Sequence, residues 1–119
     1  MRITEKCIEV DVSLYRKKKP VTVVAKLDTG AALCSIDYSL STLLGVQPHR
    51  TAKIRSANGK ERRDVVWIDI EFDGFKQTVE ATLTIRDGLD YPMLLGFNAL
   101  GNIRTINDLK QTIYEREEE

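Results

Sequence analysis

Between Thr51 and Ile85, two dipeptides break up runs rich in β-branched and aromatic residues: Asn58-Gly59 and Asp73-Gly74. Asn, Asp and Gly tolerate the positive φ that a two-residue hairpin turn requires, so each dipeptide predicts a hairpin. Val65 to Phe72 reads as a long strand between them. Phe75 to Ile85 reads as another, with Val79, Ala81, Leu83 and Ile85 alternating with polar neighbours.

The first part of the chain follows the same pattern. Ile8 to Leu14 alternates apolar and polar residues with period two, as a half-buried strand does. Arg16-Lys17-Lys18-Lys19-Pro20 ends it in a solvated turn, because adjacent lysines repel one another. Val21 to Leu27 forms a second strand, largely apolar and rich in valine. One helix is predicted over Tyr38 to Leu44, with Ser35 or Asp37 as its cap and Gly45 as its stop. Leu40, Leu43 and Leu44 are expected to share its apolar face. A short helix from Phe97 to Leu100 and two last strands, Ile103–Ile106 and Lys110–Tyr114, precede a charged tail from Glu115 to Glu119. Short strands, tight turns and one or two small helices predict an all-β fold closed into a small barrel.

With 119 residues, the chain has the size of a single domain spanning residues 1–119. Eighteen basic residues balance eighteen acidic ones, which gives no global charge argument for nucleic acid or an anionic membrane as partner. The N-terminal Met1 to Lys6 lacks the apolar run of a signal peptide, and no apolar stretch is long enough to cross a bilayer. The expected location is therefore the cytoplasm. Cys7 and Cys34 are too few for a disulfide framework and are read as small buried hydrophobes.

The chemistry centres on Asp28-Thr29-Gly30, which follows the apolar strand directly and leads into Ala31. A carboxylate there emerges from a hydrophobic strand end into a turn, and Gly30 permits close backbone approach. Turn chemistry alone also accounts for the tripeptide. Its context adds more: Ala25-Lys26-Leu27 feeds the aspartate, an Asn58-Gly59 hairpin of flap length follows, and Met93-Leu94-Leu95-Gly96 lies downstream.

In this arrangement the sequence resembles the retropepsin-like aspartic proteases. Within them it is most similar to the bacterial and archaeal branch labelled ATP-dependent zinc protease. The resemblance is carried by Ala25 to Ala31, Arg55 to Gly59, Thr82 to Arg86 and Tyr91 to Leu100, in order, between about residue 21 and residue 101. It implies a retropepsin-like barrel and an aspartic endopeptidase. Asp28, Thr29 and Gly30 would form the catalytic loop, with the Thr29 hydroxyl bonding the partner's backbone near the dyad. Ala31, Arg55, Ser56, Ala57, Asn58 and Gly59 would meet the substrate, the last five as a flap. Leu94, Leu95 and Gly96 would support the active loop from behind. Many retroviral members pair an acid after the Asp-Thr-Gly-Ala motif with an arginine after the downstream glycine. Here those positions are Ala32 and Phe97, so both halves of the pair are absent together and an apolar contact is expected in its place.

Aspartic proteolysis needs two carboxylates, and this chain carries one Asp-Thr-Gly. The second is expected from another copy of Asp28 across a two-fold axis, which makes the chain half of a homodimer. No metal or other cofactor is expected. A catalytic zinc takes about three protein ligands, whereas this chain has one histidine, His49, and no His-Glu-x-x-His. His49 is read as a surface residue, and Trp67 as core or interface filling.

Arg50, Lys53, Arg55, Lys60, Arg62 and Arg63 form a basic cluster on and around the flap. It fits either a solvated hairpin guarded by charge or a preference for acidic, glutamate-rich peptides. Some members of the resembled branch are paired with glutamate-adding ligases and trim such chains. The alternative to a protease is a catalytically inactive retropepsin-like module for dimerisation or peptide binding. A β domain unrelated to proteases is a third reading.

Overall fold

The computed structural model describes residues 1–16, 19–56, 59–86 and 88–100. Its strands are β1 (Arg2–Ile3), β2 (Ile8–Tyr15), β3 (Val21–Leu27), β4 (Cys34–Asp37), β5 (Arg50–Ser56), β6 (Gly59–Phe72), β7 (Phe75–Thr84) and β8 (Met93–Leu95). One helix, α1 (Tyr38–Leu44), and a 3₁₀ turn (Phe97–Ala99) complete the described elements. The strands form one sheet in the order β1-β2-β3-β8-β4-β7-β6-β5, and β2 also pairs with β6. That extra pairing, from Ser13↔Glu71 to Tyr15↔Asp69, closes β2, β3, β8, β4, β7 and β6 into a barrel. The predicted all-β closed barrel is therefore the observed architecture.

Several elements coincide with their predicted bounds because local chemistry decides them. β3 and α1 begin and end where expected. Asp37 caps α1 through its side chain, which accepts from the Ser39 N–H, and Gly45 ends the helix at φ 70°. Asp73 and Gly74 take φ 49° and 81°, so Phe72 pairs directly with Phe75. The flap hairpin differs by one residue: Ser56 pairs with Gly59, which already belongs to β6, and Ala57 and Asn58 lie outside the described residues. Lys17 and Lys18 of the first turn lie outside them too. So do the expected strands Ile103–Ile106 and Lys110–Tyr114 and the acidic tail.

The core is filled by period-two positions. Val10, Val12 and Leu14 of β2 meet Val66, Ile68 and Ile70 of β6, all at most 1% exposed. Leu40 and Leu44 of α1 join this core, whereas Leu43 is 55% exposed. A seven-residue helix lying on a barrel buries a narrow stripe, and Leu43 falls off its edge. Ile85, expected to continue the buried alternation of β7, lies just past the strand end and is exposed. Trp67 is not in the core: Val66 and Ile68 point inward, so pleating turns Trp67 outward. There it stacks on His49, with ring centroids 5.1 Å apart.

Candidate functional site

β3 delivers Asp28. It runs parallel to β8, pairing Lys26 with Leu94 and Leu27 with Leu95. The Asp28 N–H then donates to the Leu95 carbonyl at 3.0 Å, which carries the ladder one residue past the strand. Beyond that point the chain turns. The Gly30 N–H donates to Asp28 Oδ1 at 3.1 Å and the Ala31 N–H to the Asp28 carbonyl at 3.2 Å. One carboxylate oxygen is thus occupied by its own turn. Asp28 is half-buried, while Thr29 and Gly30 are exposed at the tip of the loop.

The segment after β8 fastens this loop from behind. The Phe97 N–H donates to the Ala31 carbonyl at 2.8 Å and the Asn98 N–H to the Ala32 carbonyl at 3.1 Å. Ala32 and Phe97 are both exposed, and it is these backbone bonds that join their segments. The Asn98 side chain accepts from the Cys34 N–H and donates to the Glu80 carbonyl, tying the loop to β4 and β7. Gly96 packs against the backbone of Leu33 and Cys34 where no side chain fits. Cys34 is fully buried, and burial pushes its thiol up to about 11, against the opposing pull of the Gly96 N–H. Such a thiol is a packing group rather than a nucleophile.

Asp28 borders a cavity of about 610 Å³. Of the residues singled out in the sequence, Gly30, Ala31, Arg55 and Leu94 line it alongside Asp28. Thr29 and Gly59 do not line it, and Leu95 and Gly96 lie behind the loop. Only the backbone of Ser56 is described. Sequence reasoning missed Ser35 and Thr82, which line the same cavity and are buried. The signal for Ser35 was its place between Cys34 and Ile36, one polar residue on the opposite face of a short strand.

Charge around the cavity is mostly positive: Lys53, Arg55 and Arg63 line it against the single carboxylate of Asp28. Arg63 is paired with Glu61. Neither Lys53 nor Arg55 has a side-chain hydrogen bond or ion pair among the described residues. Arg86 lies close by, its guanidinium pushed down by burial and by Arg63, with Asp37 and Asp28 acting in the opposite sense. The rest of the basic cluster is spent elsewhere. Arg50 makes two bonds to Glu80, which His49 also contacts at 2.9 Å, and Arg62 donates to Thr51. Among the described residues no group of three or more His, Cys, Asp or Glu side chains is placed to hold a metal ion. No helix among the described residues is long and apolar enough to cross a membrane.

The same architecture occurs in solved proteases. EIAV protease complexed with an inhibitor superimposes with a TM-score of 0.58 at 15% identity, covering 96% of this chain and 94% of that one. Simian foamy virus (mac) protease gives 0.55 at 20% identity, covering 75% and 87%. A retropepsin-like aspartic protease from Rickettsia conorii gives 0.55 at 21% identity, covering 84% and 78%. At these identities the likeness establishes the fold. A comparison with curated proteins finds no match. A family model described as RimB-like, "Retropepsin-like aspartic endopeptidase RimB", matches residues 40–117, a stretch that begins in α1 after the Asp28 loop. That match spans more than half of the sequence, and the chain belongs to the RimB-like family of retropepsin-like aspartic endopeptidases.

Proposed function

We propose that two copies of this chain associate about a two-fold axis and hydrolyse peptide bonds with the paired Asp28 carboxylates. The observation that carries this reading is the placement of Asp28, held by Leu95 and by its own turn at the edge of a large cavity below a β5–β6 hairpin. The exposed Thr29 and Gly30 beside it supply a loop tip on which a second copy can pack.

Two carboxylates about 3 Å apart share one proton, and their titration belongs to the pair. One carboxylate takes a proton from water as the water oxygen bonds to the substrate carbonyl carbon. The other passes its proton to the carbonyl oxygen. The carbon–nitrogen bond then breaks as the nitrogen takes a proton from the dyad and one hydroxyl of the diol returns its proton to it, leaving a carboxylic acid, an amine and a dyad that again holds one proton. Leu94, Leu95 and Gly96 hold the loop while this happens, and the hairpin bearing Arg55 covers the substrate.

The cations around the cavity favour acidic peptides, and glutamate-rich chains are the substrates that fit them best. The test is hydrolysis of poly-glutamate and of neutral peptides by purified protein, at several salt concentrations. Faster cleavage of the acidic substrate, falling with salt, is the expected result. Equal rates insensitive to salt would remove the acidic preference, and no hydrolysis of any peptide would leave a peptide-binding module.

A further inference from the structure

A row of paired residues crosses the outer face of the sheet next to Asp28. Leu94 of β8 pairs with Ser35 of β4, Ser35 with Thr82 of β7, and Thr82 with Val65 of β6. These positions face away from the core, yet Ser35 is 4% exposed, Thr82 2% and Val65 0%. Ser35 and Thr82 therefore form the floor of a recess, and both line the cavity that Asp28 borders.

The two hydroxyls differ in what they can still do. Thr82 Oγ1 donates its proton to the Cys34 carbonyl at 3.4 Å. Ser35 Oγ is buried and has no hydrogen-bond partner among the described residues. A buried hydroxyl without a partner carries a desolvation penalty that a bound group can relieve. Its unspent proton suits an acceptor. Arg63 stands on the same face of β6 as Val65, two residues along, and also lines the cavity. A group reaching this floor therefore meets a free donor and a guanidinium that already binds the exposed Glu61 carboxylate through Nε and Nη2.

We propose that the recess is the subsite for a substrate side chain ending in a carboxylate, with Ser35 as the residue that sets its specificity. Ser35 Oγ donates to the carboxylate at the floor and Arg63 supplies the opposing charge. The assignment rests on the protease reading above, but it names a residue of which that reading takes no account. A carboxylate only accepts hydrogen bonds, so it uses the proton that Ser35 has free. An aliphatic side chain in the same recess would leave that hydroxyl unsatisfied. Sites built this way reject the analogue that lacks the polar group more strongly than apolar pockets reject a missing methyl.

The experiment is a set of quenched fluorescent peptides, each carrying Glu, Gln or Leu at one position around the scissile bond, cleaved by the full chain. The readout is the ratio of kcat/KM for Glu over Leu, which does not depend on the fraction of enzyme that is folded. In the unsubstituted protein one position should favour Glu by at least about tenfold. At that position Ser35→Val should lower the ratio about tenfold, while Ser35→Thr, which keeps a hydroxyl, should preserve it. Gln separates the contributions, since it accepts from Ser35 but offers Arg63 no charge. If Ser35→Val proves inactive on every peptide, Ser35→Ala carries the same comparison. A Glu/Leu ratio unchanged by these substitutions overturns the subsite. Absence of cleavage by the unsubstituted protein overturns the protease reading itself.

Discussion

A Cβ placed on Gly96 would lie 2.4 Å from both the carbonyl carbon and the oxygen of Leu33. The atoms it meets are backbone, so they cannot swing aside as a long side chain would. Gly96 also donates to the Cys34 thiol and immediately precedes the two N–H groups that bind Ala31 and Ala32. Gly96→Ala is therefore expected to destabilise the fold by about 2–3 kcal/mol and to displace the Asp28 loop. Urea unfolding measures the first effect and peptide hydrolysis the second. A variant as stable as the parent would mean that Leu33 can yield.

The parts of this arrangement that could be read from the sequence are those decided within a few residues. Asp73-Gly74 supplies its own turn, Asp37 and Gly45 bracket their own helix, and Val21 to Leu27 carries its own strand pattern. β4 could not be read in that way. Its four residues become a strand because β7 and β8 flank them, through Ile36↔Leu83 and Ile36↔Met93. Missing β4 meant missing that Ser35 and Thr82 are neighbours beside Asp28. Of the core-or-interface reading of Trp67, the core half fails for a related reason: apolar neighbours on both sides suggested burial, but strand alternation sends the ring outward to His49.

Asp28→Asn should abolish hydrolysis and leave the fold in place. The asparagine side-chain oxygen can still accept from the Gly30 N–H, and the backbone bond to Leu95 does not involve the side chain. What is lost is a carboxylate able to exchange a proton with water and substrate. A fall in kcat of at least about 10³-fold is expected, with an unchanged circular dichroism spectrum and sedimentation coefficient. Substantial residual hydrolysis would place the reacting carboxylate elsewhere.

If the dyad is shared between two copies, specific activity must depend on protein concentration. Below the dimer dissociation constant it should fall on dilution, and a tight inhibitor that bridges both halves should restore association. Sedimentation over the same concentrations should track the loss. Activity per mole that stays constant while the protein is monomeric would exclude a shared active site.

Asp37 links α1 to the strand end beside the cavity. Its carboxylate accepts from the Ser39 N–H at 3.0 Å and from the Arg86 N–H at 2.6 Å, so one side chain caps the helix and anchors the segment after β7. The Ser39 hydroxyl and these two N–H groups hold its pKa below the ordinary value of 3.8. For a carboxyl depressed in the folded state, the stabilisation is fully present above the unfolded value and is lost as pH falls through the folded one. Asp37→Ala should therefore cost about 1–2 kcal/mol at neutral pH, measured by urea unfolding. The gap between parent and variant should narrow progressively as pH drops below 3.8. A gap that persists undiminished in acid would mean that the side chain acts there by packing rather than as an ionised acceptor.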